Sequence, residues 1–134
     1  MSTDDLAPGL PYEYAAVAPA GSTIFTAGAC PLDADGVVVA PGDVRAQADR
    51  SVDNLLAVLE LHGAGAADLV RTTIYVVGSR DDLVAAWDVI AARLAPSRPP
   101  STLLGVACLG YRDQLVEIDG IAAMPTEQSS LDAH

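Results

Sequence analysis

Gln114-Leu-Val-Glu-Ile-Asp-Gly-Ile-Ala-Ala-Met124 is the stretch on which the fold turns. At the two-residue period of a strand, Val116, Ile118, Gly120 and Ala122 share one side, and Leu115, Glu117, Asp119 and Ile121 share the other. The first set is small and apolar, and predicts a face packed under helices. The second mixes aliphatic groups with two carboxylates spaced roughly 6.5 Å along the strand. A face of that kind suits a subunit interface with a site in it, so a homo-oligomer is expected.

Working outward, Ser101 to Ala107 reads as the strand before it, joined through Gly110. Pro96, Pro99 and Pro100 separate that strand from a helix over about Asp81 to Ala95, which carries Leu83, Trp87, Ile90 and Leu94 on one face. Val70 to Val77, with Thr72, Thr73, Ile74 and Tyr75 at its centre, is β-branched and reads as a strand ended by Gly78-Ser79. Asp43 to His62 is the clearest helix: Val44, Ala48, Val52, Leu55, Leu56 and Leu59 recur at helical steps, Asp43 fits the N-cap and Gly63 stops the run. Further upstream, Ser22 to Ala27 predicts a strand, and Asp33-Ala-Asp-Gly36 before Val37-Val38-Val39 a short hairpin. The expected architecture is α+β: one mixed sheet of about six strands, with both helices on one face.

At 134 residues with 51% hydrophobic and 19% charged content, the chain fits one ordered domain. We expect a single domain over 1–134, with a core at about 11–124, an N-terminal arm at 1–10 and a polar tail at 125–134. Eighteen acidic against seven basic residues give a net charge of −11, which repels nucleic-acid backbones and anionic lipid. Neither nucleic acid nor a membrane is therefore an expected partner. All seven basic residues are arginines, which rules out Schiff-base chemistry by a side-chain amine. Two cysteines, Cys30 and Cys108, are too few for a disulfide framework, and each reads first as a small buried hydrophobe. No apolar run approaches the ~20 residues of a membrane span, and the acidic start is unlike a signal peptide; the expected location is cytoplasmic. Asp33-x-Asp35-Gly36 lacks the later ligands of a calcium loop and reads as a turn. No Cys/His cluster or phosphate loop is present, so no metal or other cofactor is expected.

Several segments resemble the Rid family, also called YjgF or reactive-intermediate deaminases. They are Pro11-Tyr12, Phe25-Thr-Ala-Gly28-Ala-Cys-Pro31, Gln47-Ala-Asp-Arg-Ser-Val-Asp-Asn54, Val70-Arg-Thr-Thr-Ile-Tyr-Val76, Pro99-Pro-Ser-Thr-Leu-Leu-Gly-Val-Ala107 and Val116-Glu-Ile-Asp119. The resemblance implies a chorismate-mutase-like homotrimer with small-molecule clefts between neighbouring subunits. It also implies hydrolysis of enamine and imine intermediates to 2-keto acids and ammonia. In that family Tyr12 falls at the pocket tyrosine, Gly28 and Cys30 on positions lining the cleft, and Glu117 at the carboxylate that handles the hydrolytic water. An asparagine common on the second helix of family members falls at Trp87. The arginine that grips the substrate carboxylate should follow Pro99-Pro100 directly, where this chain has Ser101.

Imine hydrolysis needs a water aimed at an electrophilic carbon, a group to move its proton, and a hold on the ligand. A carboxyl taken partly out of water suits the second task near neutral pH, and Glu117 is the candidate. Its rival reading is a structural ion pair with Arg71. A bidentate guanidinium grip contributes two charge-assisted hydrogen bonds, so losing it weakens carboxylate capture by roughly 100-fold or more. Arg98 would have to fold back along the strand to substitute, and Arg112 is remote in the last hairpin loop. Ser101 and Thr102 would instead hydrogen-bond a neutral or differently shaped ligand. Tyr12 reads equally as a ligand stack or a core cap, and Trp87, at helical spacing with Leu83 and Ile90, reads first as core.

Overall fold

The computed structural model describes residues 8–9, 11–13, 15–16 and 20–124. The elements run β1 (Thr23–Phe25), α1 (Val44–Leu61), β2 (Leu69–Val76), α2 (Arg80–Leu94), β3 (Ser101–Gly105) and β4 (Val116–Ala123), with a single 3₁₀ turn at Ala66–Asp68 before β2. The sheet order is β1-β4-β2-β3. β4 is antiparallel to both β1 and β2, while β2 and β3 are parallel. Each helix therefore makes a crossover between parallel strands, and both lie on the same face.

The sheet has four strands among the described residues, not about six. The expected hairpin contracts to one isolated bridge, Leu32 to Val38. Its turn is as expected: Asp33 Oδ1 accepts from the amides of Asp35 (2.9 Å) and Val37 (3.0 Å), and Gly36 adopts φ +79°. The Asp33 carboxylate is thus occupied by its own loop backbone. The described residues between 11 and 16 form no strand. The arm at 1–10 falls outside the described residues except for 8 and 9, and the tail at 125–134 wholly so. No described helix is long and apolar enough to cross a membrane.

The helices begin where side chains satisfy their first amides. Asp43 accepts from Ala46 N at 3.0 Å. Ser79 and Asp82 form a reciprocal capping box, Ser79 N to Asp82 Oδ2 at 2.8 Å and Asp82 N to Ser79 Oγ at 3.3 Å. The second helix consequently starts one residue earlier than its apolar pattern indicates. The faces of β4 divide as the alternation requires. Val116, Ile118 and Ala122 are fully buried with Val52, Leu55, Leu59, Ile74 and Ile90 in one core, while Glu117, Asp119 and Ile121 stay partly exposed on the other side. Gly120 makes this packing possible, because a Cβ there would stand 2.8 Å from Leu69 Cδ2.

One edge of α1 is polar and holds the loops around it. The buried Gln47 amide donates to Asp113 O (2.9 Å) and Ala40 O (3.3 Å), and its oxygen accepts from Leu115 N (2.7 Å). Ala40 and Asp113 are the two non-glycine residues with positive φ among those described, at +42° and +67°. A left-handed residue costs roughly 1–2 kcal/mol, so Gln47 offsets strain in two loops at once. Arg50 donates to Leu32 O at 2.9 Å, and Asn54 to Cys30 O and Leu32 O at 2.8 and 3.0 Å. Replacing Gln47 with Leu strands two carbonyls and one amide. It should lower stability by about 2–3 kcal/mol, read as a fall in urea midpoint at fixed protein concentration with unchanged slope.

Candidate functional site

Glu117 stands on the open face of β4, across from Tyr75 on β2. The chain after β1 is held beside it by the paired bonds of an isolated bridge, Ala29 N to Ile118 O (2.7 Å) and Ile118 N to Ala29 O (3.1 Å). That bridge places Gly28 directly against the carboxylate. A Cβ at position 28 would lie 2.5 Å from Glu117 Cδ and 2.6 Å from Oε2. Glycine is required here for space; its φ is not in the left-handed region.

Cys30 approaches from the same segment, and its thiol donates to Glu117 Oε1 at 3.2 Å. Burial, followed by the hydrogen bond and negative charge of Glu117, pushes the thiol up to about 11 from its ordinary 9.0. Cys30 is therefore a protonated donor near neutral pH, half-buried and not core. Cys108, also expected inside, is exposed in the turn after β3, where no layer of the fold covers it. A second donor is Gln114, whose Nε2 lies 3.5 Å from Glu117 Oε1 and 3.1 Å from Val116 O. Its own oxygen accepts from Tyr111 N at 3.2 Å.

The alternative ion pair between Glu117 and Arg71 does not form. Register sets Arg71 opposite Ile121 and Tyr75 opposite Glu117, roughly 13 Å apart along the strand. Arg71 instead donates to Thr102 Oγ1 at 2.6 Å, on the open face. Asp119 accepts from the Tyr75 hydroxyl at 3.1 Å; burial together with Asp119 and Glu117 raises that phenol.

Tyr12, Trp87, Ser101 and Leu103 gather elsewhere, around a cavity of about 240 Å³ at the β3 edge. The Tyr12 and Trp87 rings meet edge-on, with centroids 6.3 Å apart and planes at 84°. Trp87 is thus partly core and partly cavity wall. Ser101 pairs with Thr72, a fully buried residue of the helix-side face. Its hydroxyl lies 3.0 Å from Pro99 O and shares a short hydrogen bond with the Thr72 hydroxyl. Arg98 does not line this cavity; it lies in the adjoining one and sits 3.7 Å from Glu13. Arg112 is exposed in the loop before β4.

The sequence-derived candidates therefore form two groups on opposite faces of one sheet. Gly28, Cys30 and Glu117 share the open face, as does Thr102. Tyr12, Trp87 and Ser101 lie on the helix side, with β2 between β3 and β4. Gln114 was not among the candidates. Its one signal is an amide opening a strand that is otherwise apolar on its buried side, since a buried Gln must find partners.

Helices on one face of a mixed sheet and a held acid on the other define the class of small α+β proteins to which this chain conforms. The family model described as Endoribonuclease L-PSP matches residues 3–124, and the chain belongs to that family, the Rid or YjgF proteins. It is 33% identical over 104 residues to the 2-iminobutanoate/2-iminopropanoate deaminase of Escherichia coli K12, covering 76% of this chain and 80% of that protein. Protein DfrA of Myxococcus xanthus is 35% identical over 112 residues, 84% of each chain. Among solved structures, YyfB of Yersinia pestis, a Rid-family protein of unknown function, superposes with a TM-score of 0.84 at 30% identity, covering 92% of this chain and 96% of that one.

The fit of Gly28 against Glu117 makes a quantitative expectation. Gly28→Ala should cost about 1–3 kcal/mol by displacing the carboxylate. In a Glu117→Ala background the same change should be close to neutral, a coupling that a double-mutant cycle of denaturation midpoints reads directly.

Proposed function

We propose that this protein hydrolyses small enamine or imine intermediates, with Glu117 moving the proton of the attacking water, in a cleft shared between copies of the chain in a homotrimer. The observation that carries the reading is the setting of Glu117. It is partly buried, free of any cationic partner among the described residues, and restrained by donors through one oxygen. A structural carboxylate would be neutralised by an arginine; an acid/base needs room for a proton instead. The related deaminase from E. coli supports the reaction class. The two residue groups on opposite sheet faces support the shared cleft, since a second copy is needed to bring a Ser101 cavity to a Glu117 acid. The family model's ribonuclease label fits this chain less well, because its net charge of −11 opposes binding of a polyanion.

Substrate choice follows from Ser101. Its cavity is walled by Tyr12, Trp87 and Leu103, and among the described residues none that lines it is a cation. The ligand there is accordingly neutral at the position where a substrate carboxylate would otherwise sit. The alternative is a catalytically silent member that binds a metabolite. What favours it is the Ser101 hydroxyl, already engaged by Pro99 and Thr72.

Freshly generated imines separate these readings. The protein should accelerate hydrolysis of a neutral imine more than of 2-iminopropanoate, measured as carbonyl product release. Glu117→Gln should reduce the rate roughly 10²–10⁴-fold. Ser101→Arg should improve kcat/KM for 2-iminopropanoate by roughly 100-fold, because two charge-assisted hydrogen bonds become available. Ligand-induced thermal stabilisation without acceleration of any imine would select the silent reading.

A further inference from the structure

We propose that Cys30 and Gln114 are positioning residues that grip the Glu117 carboxylate through Oε1, leaving Oε2 without a protein donor in the volume that a side chain at position 28 would fill. This inference rests on the reading of Glu117 as the water-handling acid, but the grip itself can be tested without any turnover.

The geometry is convergent. The Cys30 thiol lies 3.2 Å from Oε1, and the Gln114 amide 3.5 Å from the same atom. Oε2 accepts from no protein donor among the described residues, and it is the oxygen that a Cβ at Gly28 would touch at 2.6 Å. A carboxylate on a strand turns freely about its last bond unless one oxygen is held, and catalysis by a positioned base depends on the angle of the other. Both grips are themselves anchored. Asn54 holds the Cys30 carbonyl at 2.8 Å and the Ala29–Ile118 bridge fixes the segment beside it. Gln114 is 97% buried, with its oxygen taken by Tyr111 N and its amide also on Val116 O.

Cysteine is an apt donor at this position. Its proton stays on sulfur near neutral pH, because both burial and the neighbouring charge oppose the thiolate. The thiol therefore supplies one hydrogen bond and does not compete with Glu117 for the proton of the water. A weak donor, it restrains the carboxylate through one oxygen. The role requires no reaction at sulfur.

Two measurements test the grip. The first is alkylation by iodoacetamide at pH 8 in a Cys108→Ser background, which removes the exposed thiol. Glu117→Gln should speed modification of Cys30 by about 10-fold or more, since the charge opposing the thiolate is gone. An unchanged rate overturns the proposal. The second compares imine hydrolysis by Cys30→Ala, Cys30→Ser and Gln114→Met. Cys30→Ala and Gln114→Met should each lower kcat by about 10-fold with little change in KM, and Cys30→Ser, which keeps a donor, should recover most of the loss. Equal impairment of the Ala and Ser variants, or a Cys30→Ala protein as active as wild type, overturns it. Wild-type protein that hydrolyses no imine removes the reading of Glu117 as an acid/base, and the alkylation result then decides the grip alone.

Discussion

A single buried amide, that of Gln47, is the constraint on which the arrangement around Glu117 depends. It reaches from the first turn of α1 to two carbonyls whose residues both sit at positive φ, and to the amide that leads into β4. Hydrogen bonds inside a protein gain little over those made to water, but a fully buried Gln47 side chain left without partners would be costly. The loops before α1 and before β4 are therefore specified together. The register with which β4 enters the sheet follows, and with it the face on which Glu117 emerges. Further along the helix, Arg50 and Asn54 extend the same edge to the Cys30–Leu32 segment. Thus α1 has two functions set by two stripes: Ala48, Val52, Leu55 and Leu59 make the core, and Gln47, Arg50 and Asn54 set the loops that surround the acid.

How much of this was legible in the sequence divides along physical lines. Alternation in β4 assigned its two faces correctly, because Val116, Ile118 and Ala122 pay no penalty in a core and Glu117 and Asp119 would. The period of α1 and its Asp43 cap were likewise readable, both being local. The sheet was overcounted because Val37-Val38-Val39 has high β-propensity without a long partner; Asp33 commits the loop to a tight turn and one bridge is all that forms. The capping box of α2 is local too, but Ser79 follows Gly78 at the end of β2, where the pair equally marks the end of a strand. The wrong burial of Cys108 came from composition-level preference, which carries no information about a turn outside the layers.

The candidate residues can be named singly from the sequence, but their grouping cannot. Gly28, Cys30 and Glu117 were named separately, yet the reason for glycine at 28 is a contact 89 positions away, against Glu117. No local pattern encodes that. Gln114 is hidden for the same reason: its partners are the loop amide of Tyr111 and the acid three residues on, which share no helical or strand face with it. Arg71 gives the converse case. Opposite charges on neighbouring strands invite an ion pair, and only the register shows them too far apart along β2 and β4.

The exposed face of the sheet bears on the proposal of a shared cleft. Phe25 is 74% exposed and Leu104 43%, on the same side as Ile121, Tyr75 and Glu117. Aromatic and aliphatic groups around a half-buried tyrosine–aspartate pair are poorly matched to water, whereas they match the apolar core and polar groups of an interface. Covering that face with another copy would also remove water from around Glu117, whose Oε2 has no protein donor among the described residues. The same contact would then do two things that a lone chain does in neither place: satisfy the apolar face, and turn a carboxylate on one side of the sheet and a cavity on the other into parts of one site. On the proposed reading, an acid completed only on assembly would tie hydrolysis to the oligomer, so that dilution of the chains and loss of activity would be one event.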